Sequence, residues 1–291
     1  MSNKYYDELV AMIENALSKA FVVPQQDYKE LYEAMSYSVL GGGKRIRGVL
    51  MLECAKICGL PQKQILPFAC AIEMIHASTL IHDDLPCMDN DDYRRGKPSS
   101  HIKYGEDIAL LAGDALYAYA ISYILRKSNA DDFCGSLTDA ISTLLSLAGA
   151  DGVFAGQILD KKYEQSVCQP DQLLHLHALK TGALFSACAK IPLILSFADD
   201  NTTRALSIYM NKLGLAFQIK DDLLDFEGSF ETLGKAVGSD TNKSTFITVF
   251  GADYSKEYLN KIIFEAKQAI APLENNQLLM WICDFVMNRE I

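Results

Sequence analysis

The sequence predicts an all-α fold, a bundle of ten or more helices packed around a central apolar space. Three observations carry that reading. Apolar residues recur at helical spacing almost everywhere, and strict alternation over strand length is hard to find. Only eight prolines and 18 glycines punctuate the 291 residues. The breaks fall at Gly41–Gly43, Gly59–Pro61, Gly96–Pro98, Gly149–Gly152 and Gly228, which leaves segments of about 15–25 residues between them, long for globular helices.

Taken in order, the first segment, MSNKYYDELVAMIENALSKAF, is an amphipathic helix with Leu9, Met12, Ile13, Leu17 and Phe21 on one stripe. It lacks the basic start and apolar run of a signal peptide and the arginine-rich bias of a transit peptide. Ile121, Ile124 and Leu125, with the alanines before them, line a second stripe. The two richest apolar runs, around residues 108–125 and 182–198, contain Asp114 and then Lys190 with Pro192, so no uninterrupted run reaches membrane-spanning length. No Pro/Gly/Ser-rich linker or repeat marks a boundary, so residues 1–291 read as a single domain. A net charge of −10 argues against nucleic acid, which needs a basic footprint. Eight scattered cysteines suit free thiols in a reducing cytoplasm. Cys54 and Cys58 lie one helical turn apart, but no second pair at zinc spacing follows, and core thiols are the better reading.

The unusual segments are acidic. LIHDDLPCMDNDDYRRGKP, residues 80–98, gathers Asp83, Asp84, Asp89, Asp91 and Asp92, then turns at once to Arg94, Arg95 and Lys97. A regular helix would send Asp83 and Asp89 to different faces, so the Leu85–Met88 insert must bulge for them to converge, and Pro86 can enforce that. A calcium loop fails on Tyr93 and Arg94, which stand where a ligand and the glycine belong. The second cluster is FQIKDDLLDFEG, residues 217–228. Asp221 and Asp225 are spaced i, i+4 on one helix face, with Gln218 a turn earlier. Two carboxylates together in so apolar a segment are unfavourable without a cation. Few, partly hydrated oxygen ligands suit Mg²⁺ carried with a phosphate-bearing substrate. Basic groups stand where a diphosphate needs further contacts: Lys44, Arg45 and Arg47 in GGGKRIRG, Arg94 and Arg95 after the first cluster, and Lys180 with Thr181 in LKTGALF.

Together these segments resemble the trans-prenyl diphosphate synthases, the farnesyl and geranylgeranyl diphosphate synthase family. The resemblance runs from about Gly41 to Thr245 and includes GGGKRIR, EMIHASTLIHDDLPCMDNDDYRRGKPSSH, GEDIALLAGDAL, GQILD, LHALKTGALF, GLAFQIKDDLLD, TLGKAVGSD and NKST. Three departures stand out: Gly48 where the family commonly has proline, Ser229 in place of an acid, and a short loop between Asp240 and Lys243.

The resemblance implies an isoprenoid-synthase helical bundle, a homodimer, whose two aspartate motifs face each other across a deep central cavity. It implies a cytoplasmic prenyltransferase that joins isopentenyl diphosphate head to tail with dimethylallyl, geranyl or farnesyl diphosphate, giving farnesyl or geranylgeranyl diphosphate. Asp83, Asp84, Asp89, Asp221 and Asp225 would hold about three Mg²⁺, which Mn²⁺ can replace, on the allylic diphosphate. Arg94, Lys180 and Lys235 would add direct contacts to that group. Lys44, Arg47, His76 and Arg95 would hold isopentenyl diphosphate, and Thr181 and Gln218 would flank the carbocation. Catalysis would rest on Asp83, Asp84, Asp89, Lys180, Thr181, Gln218 and Asp221.

Product length depends on the cavity floor, which in this family includes residues about one turn before the first motif. Those residues here are Ser78 and Thr79, where farnesyl synthases with this insert often place an aromatic, so the reading leans towards twenty carbons. Helical rotation alone puts Ser78 about 140° from Asp83, so its role comes from the resemblance, not from geometry. Met74, Ile75 or a neighbouring helix are alternative floors. Rival readings are a class I terpene cyclase, a head-to-head synthase and a non-catalytic partner subunit. The first two would lack the GGGKRIR site, and the third expects a damaged aspartate motif.

Overall fold

The computed structural model describes residues 3–23, 26–164, 168–228 and 244–289. It is helical almost throughout, as the spacing predicts. Its residues fall into two compact bodies, one from residues 2–52 and 62–132, the other from residues 53–61 and 133–291.

In the first body, α1 (Lys4–Ala20) begins where the Asn3 side chain accepts from the amides of Tyr5 and Tyr6, and it buries Tyr6, Leu9, Ile13 and Leu17. Helix α2 (Lys29–Val39) and the start of α3 (Ile46–Ile57) lead to α4 (Gln62–Asp83), the apolar centre, with Phe68 to Ile75 all buried. Helix α6 (Glu106–Lys127) packs on α4 through Ala109, Ala112, Gly113, Leu116, Ala120 and Ile124, mostly small residues at i, i+3/i+4 that allow a close helix pair. The stripe predicted from Ile121, Ile124 and Leu125 is corrected here: Ile124 is buried, but Leu125 is 59% exposed.

Two short strands, β1 (Tyr93–Arg94) and β2 (Lys97–Pro98), pair antiparallel before α5 (Ser100–Tyr104). Alternation cannot reveal strands of two residues. The turn itself has a cause, since Arg95 and Gly96 both hold positive φ, the mirror-image turn that matches strand twist.

In the second body, α7 (Leu137–Ala148), α8 (Val153–Tyr163), α9 (Pro170–Lys180), α10 (Gly182–Ser196), α11 (Asp200–Glu227), α12 (Phe246–Phe250), α13 (Ala252–Ile270) and α14 (Gln277–Asn288) follow in order. Helix α10, buried along nearly its whole length, packs on α7 and α11, and α11 packs on α13 and α14. The starts are chemically marked. Ser136 caps α7, Asp199 caps α11, and capping boxes with Gln169–Gln172 and Thr245–Thr248 open α9 and α12.

By length and composition three stretches can cross a membrane: Gln62–Asp83, Glu106–Lys127 and Leu137–Tyr163. This exceeds the sequence expectation, because single charges interrupt these helices without lowering their average hydropathy enough. In α4, 72% of the qualifying window is buried in protein, so its apolar surface is already used for packing.

Candidate active site

The first acidic cluster forms where α4 ends. Pro86 has no amide to continue the helical ladder, and the chain folds back: the Met88 amide donates to the Leu85 carbonyl and the Asp89 amide to the Asp83 carbonyl at 2.9 Å. The Leu85–Met88 insert thus loops out of the helical path, as expected, and brings the Asp83 and Asp89 backbones together just after the helix ends. Asp84 points elsewhere. Its side chain is 4% exposed and takes the Arg94 guanidinium, whose Nε lies at 2.9 Å. Burial raises the Asp84 pKa despite Arg94, while Arg94, also 3.1 Å from Asp91, is pushed upward by Asp84. Arg94 is thus tied to protein carboxylates in this state of the chain.

The glycine-rich turn is assembled by the same hairpin. Arg95 donates to the Gly42 carbonyl, and a Cβ at Gly43 would sit 2.8 Å from the Arg95 guanidinium carbon. Gly43 has φ +124°, so conformation and space both call for glycine. Lys44 is exposed, and the Tyr6 hydroxyl donates to its carbonyl. Arg45, grouped by sequence with the basic residues offered to a diphosphate, is 3% exposed, donates to the Glu14 carboxylate at 2.6 Å and lies 3.6 Å from Glu73. It is a fold-holding charge. The Gly48 amide donates to Glu73 at 2.9 Å, a bond that proline cannot make, which gives the departure from the family pattern a physical reason.

Buried Arg47, half-buried His76 and exposed Arg95 share one electrostatic environment. Burial first, then Arg47, Arg95, Arg94 and Arg45, holds the His76 pKa well below its usual value, so the imidazole is neutral amid four arginines. An acidic protein has concentrated positive charge beside its first acidic cluster. Ser78 is buried at 1% exposure, and the half-buried Thr79 donates its hydroxyl to the His76 carbonyl.

In the second body Asp221 and Asp225 lie on one face of α11, both half-buried, as their spacing predicts. Asp222 turns inward. It accepts from the Phe246 amide at 2.7 Å and from Gln218 Nε2 at 2.9 Å. Gln218 presents its oxygen to the Thr181 hydroxyl at 2.7 Å, at the break between α9 and α10. Lys180 pairs with Asp160 of the GQILD segment. Helix α8 comes so near that a Cβ at Gly156 would lie 2.3 Å from the Lys180 amide nitrogen. Lys235, Ser229 and the loop from Asp240 to Lys243 lie outside the described residues.

Sequence reasoning also missed Arg289. Its guanidinium reaches Asp221 Oδ1 at 2.6 Å and the Phe217 carbonyl at 2.7 Å, and nothing in the tail segment NREI marks it.

Among the described residues no three His, Cys, Asp or Glu side chains form a ready metal cage, and all eight cysteines are free, with Cys54 buried and Cys58 half-buried. The donor set is all oxygen and low in number. That suits Mg²⁺, which keeps water and substrate oxygens in its shell, and does not suit zinc.

A family model described as polyprenyl synthetase matches residues 28–276. A geranylgeranyl diphosphate synthase of Cyanophora paradoxa is 39% identical over 289 residues, covering 98% of this chain and 95% of that protein. A farnesyl diphosphate synthase of Micrococcus luteus is 42% identical over 262 residues, 89% of each chain. Among solved structures, a geranyltransferase from Helicobacter pylori, complexed with magnesium and isoprenyl diphosphate, superposes with a TM-score of 0.83 at 29% identity, covering 99% of this chain and 97% of its own. The fold, both aspartate clusters and these likenesses agree, and the chain belongs to the polyprenyl synthetase family, the trans-prenyl diphosphate synthases.

Proposed function

We propose that this chain is a short-chain trans-prenyl diphosphate synthase that extends allylic diphosphates with isopentenyl diphosphate to a twenty-carbon product. The carrying observation is that both aspartate clusters are complete and each stands near the end of a long helix, the apolar α4 and the amphipathic α11. In the reaction the allylic C–O bond breaks and pyrophosphate leaves with the electron pair. The isopentenyl double bond supplies the electrons of the new C–C bond, and the proton lost afterwards goes to the departing pyrophosphate.

Asp83, Asp84, Asp89, Asp221 and Asp225 would hold Mg²⁺, about three ions in the family pattern, with Mn²⁺ a substitute. When bound, the metal supplies positive charge to the leaving diphosphate. Arg94, Lys180 and Lys235 take the allylic diphosphate, with Arg94 and Lys180 exchanging Asp84 and Asp160 for phosphate oxygens. Lys44, Arg47, His76 and Arg95 take isopentenyl diphosphate, a reading supported by the arginines around the neutral His76. Thr181 and Gln218, hydrogen-bonded to each other, flank the allylic cation.

The twenty-carbon length rests on Ser78 and Thr79, small where an aromatic would shorten the cavity. Leu110, Leu111 and Leu125 of α6 are each about half exposed, and this apolar surface supports a homodimer. We place the enzyme in the cytoplasm, acting as one domain over residues 1–291, with no membrane span and no nucleic-acid partner.

The test is incubation with Mg²⁺, labelled isopentenyl diphosphate and each allylic starter, followed by chromatographic sizing. Twenty-carbon product from wild type, shortened in Ser78→Tyr, is expected. A wild type that stops at fifteen carbons and is unmoved by Ser78→Tyr overturns the length assignment, and full turnover in excess chelator overturns the metal assignment.

A further inference from the structure

Two carboxylates at i, i+4 in an apolar segment need a cation, and the chain carries one of its own. We infer that Arg289 is a resting counter-ion of Asp221, holding that carboxylate until a metal–diphosphate complex arrives, so that bare metal binds the second cluster weakly. This deepens the proposed function and rests on Asp221 being a metal ligand.

The geometry is confined to the second body. The Arg289 side chain is 5% exposed, against 44% for Asp221. Its Nη2 serves both the Asp221 carboxylate at 2.6 Å and the Phe217 carbonyl at 2.7 Å, and its guanidinium carbon lies 3.9 Å from the centre of the Phe217 ring. Phe217 and Asp221 are one turn apart, so the guanidinium lies along α11, fixed by a ring, a carbonyl and an acid of the same helix. A buried guanidinium is tolerated only when paired, which ties Arg289 to Asp221 as long as that oxygen carries no other cation. A divalent ion arriving alone must displace this charge or sit beside it, and either is opposed by Coulomb repulsion in a partly buried site. An ion arriving with diphosphate brings the negative charge that offsets it. Arg289 is therefore a positioning residue, acting through Asp221.

The experiment is titration of the full-length protein with Mn²⁺, followed by electron paramagnetic resonance, first without and then with inorganic pyrophosphate. Without pyrophosphate, Arg289→Gln should bind Mn²⁺ at least about tenfold more tightly than wild type. Arg289→Lys should stay near wild type, and adding Asp221→Asn should abolish the gain. With pyrophosphate the difference between Arg289→Gln and wild type should shrink to less than about threefold. If Arg289→Gln fails to fold, Arg289→Met, whose stem keeps the contact with the Phe217 ring, is read in its place. Unchanged or weakened Mn²⁺ binding, or a gain that survives Asp221→Asn, overturns the inference. The underlying reading is checked separately by the Mg²⁺ dependence of turnover in Asp221→Asn. Normal dependence there removes Asp221 as a ligand, whereas lost dependence with an inert Arg289→Gln removes the counter-ion role alone.

Discussion

Asp221 and Asp222 are neighbours in sequence and opposites in structure, and substitution should separate them. Asp222→Ala removes a buried carboxylate that receives the Phe246 amide at 2.7 Å and Gln218 at 2.9 Å. Hydrogen bonds to a charged acceptor are each worth about 1.5–3 kcal/mol, and an orphaned buried amide costs a similar amount, so a loss of about 3 kcal/mol is expected. For a chain of this size that lowers the melting temperature by roughly 6–12 °C. Turnover well below the melting point should fall less than about tenfold, since the Asp222 carboxylate faces the α12 amide. Asp221→Asn keeps an oxygen for Arg289 while removing the charge, and should do the reverse: a smaller fall in melting temperature, with Mg²⁺-dependent turnover reduced by orders of magnitude. Differential scanning calorimetry and a labelled-isopentenyl assay read both quantities. The reasoning is refuted if Asp222→Ala melts like wild type and loses its metal dependence.

Two further outcomes follow from buried groups. His177, stacked on Phe246 at 5.6 Å, is pushed down to about 3 by burial, with Lys180 adding to the effect. Its folded pKa is below the unfolded one, so its stabilisation is full above about pH 6.5 and is lost as pH falls from there towards 3. Urea unfolding should show wild type losing about 1.4 kcal/mol more than His177→Phe between pH 8 and pH 5.5, and equal losses would contradict this. Gly48→Pro removes the donor to Glu73 and crowds Ile13, whose Cδ1 would lie 2.8 Å from a new Cβ. It should cost about 1–3 kcal/mol in chemical denaturation, and an unchanged midpoint would show that the Glu73 contact is dispensable.

Much of this architecture is legible in the sequence, because a 3.6-residue period is a property of neighbours along the chain. The breaks at Gly41–Gly43, Gly59–Pro61 and Gly149–Gly152 separate helices as expected, and Gly228 caps α11. The shared face of Asp221 and Asp225 follows from their spacing alone. What sequence could not give are contacts that cross from one element to another. Arg289 lies 68 positions beyond Asp221, and Asp160 lies 20 before Lys180, distances over which no period survives. The inward turn of Asp84 and Asp222 is equally hidden, since in DDLPCMD and DDLLD every aspartate looks alike until its partner is known. Hydropathy averages over a helix and cannot see packing: 72% of the α4 window is buried inside the protein, against 39% for Glu106–Lys127 and 28% for Leu137–Tyr163.

The approach of α8 to Lys180 has a consequence for anyone who would alter this enzyme. In a library randomised across residues 153–163, position 156 should return glycine alone, because even alanine would put a carbon 2.5 Å from the Lys180 Cα. The neighbouring Phe154 and Ile158, 43% and 69% exposed, should drift freely. Selection would therefore find its variation around Lys180 but not beneath it. Moving that lysine by design requires rebuilding two helices together.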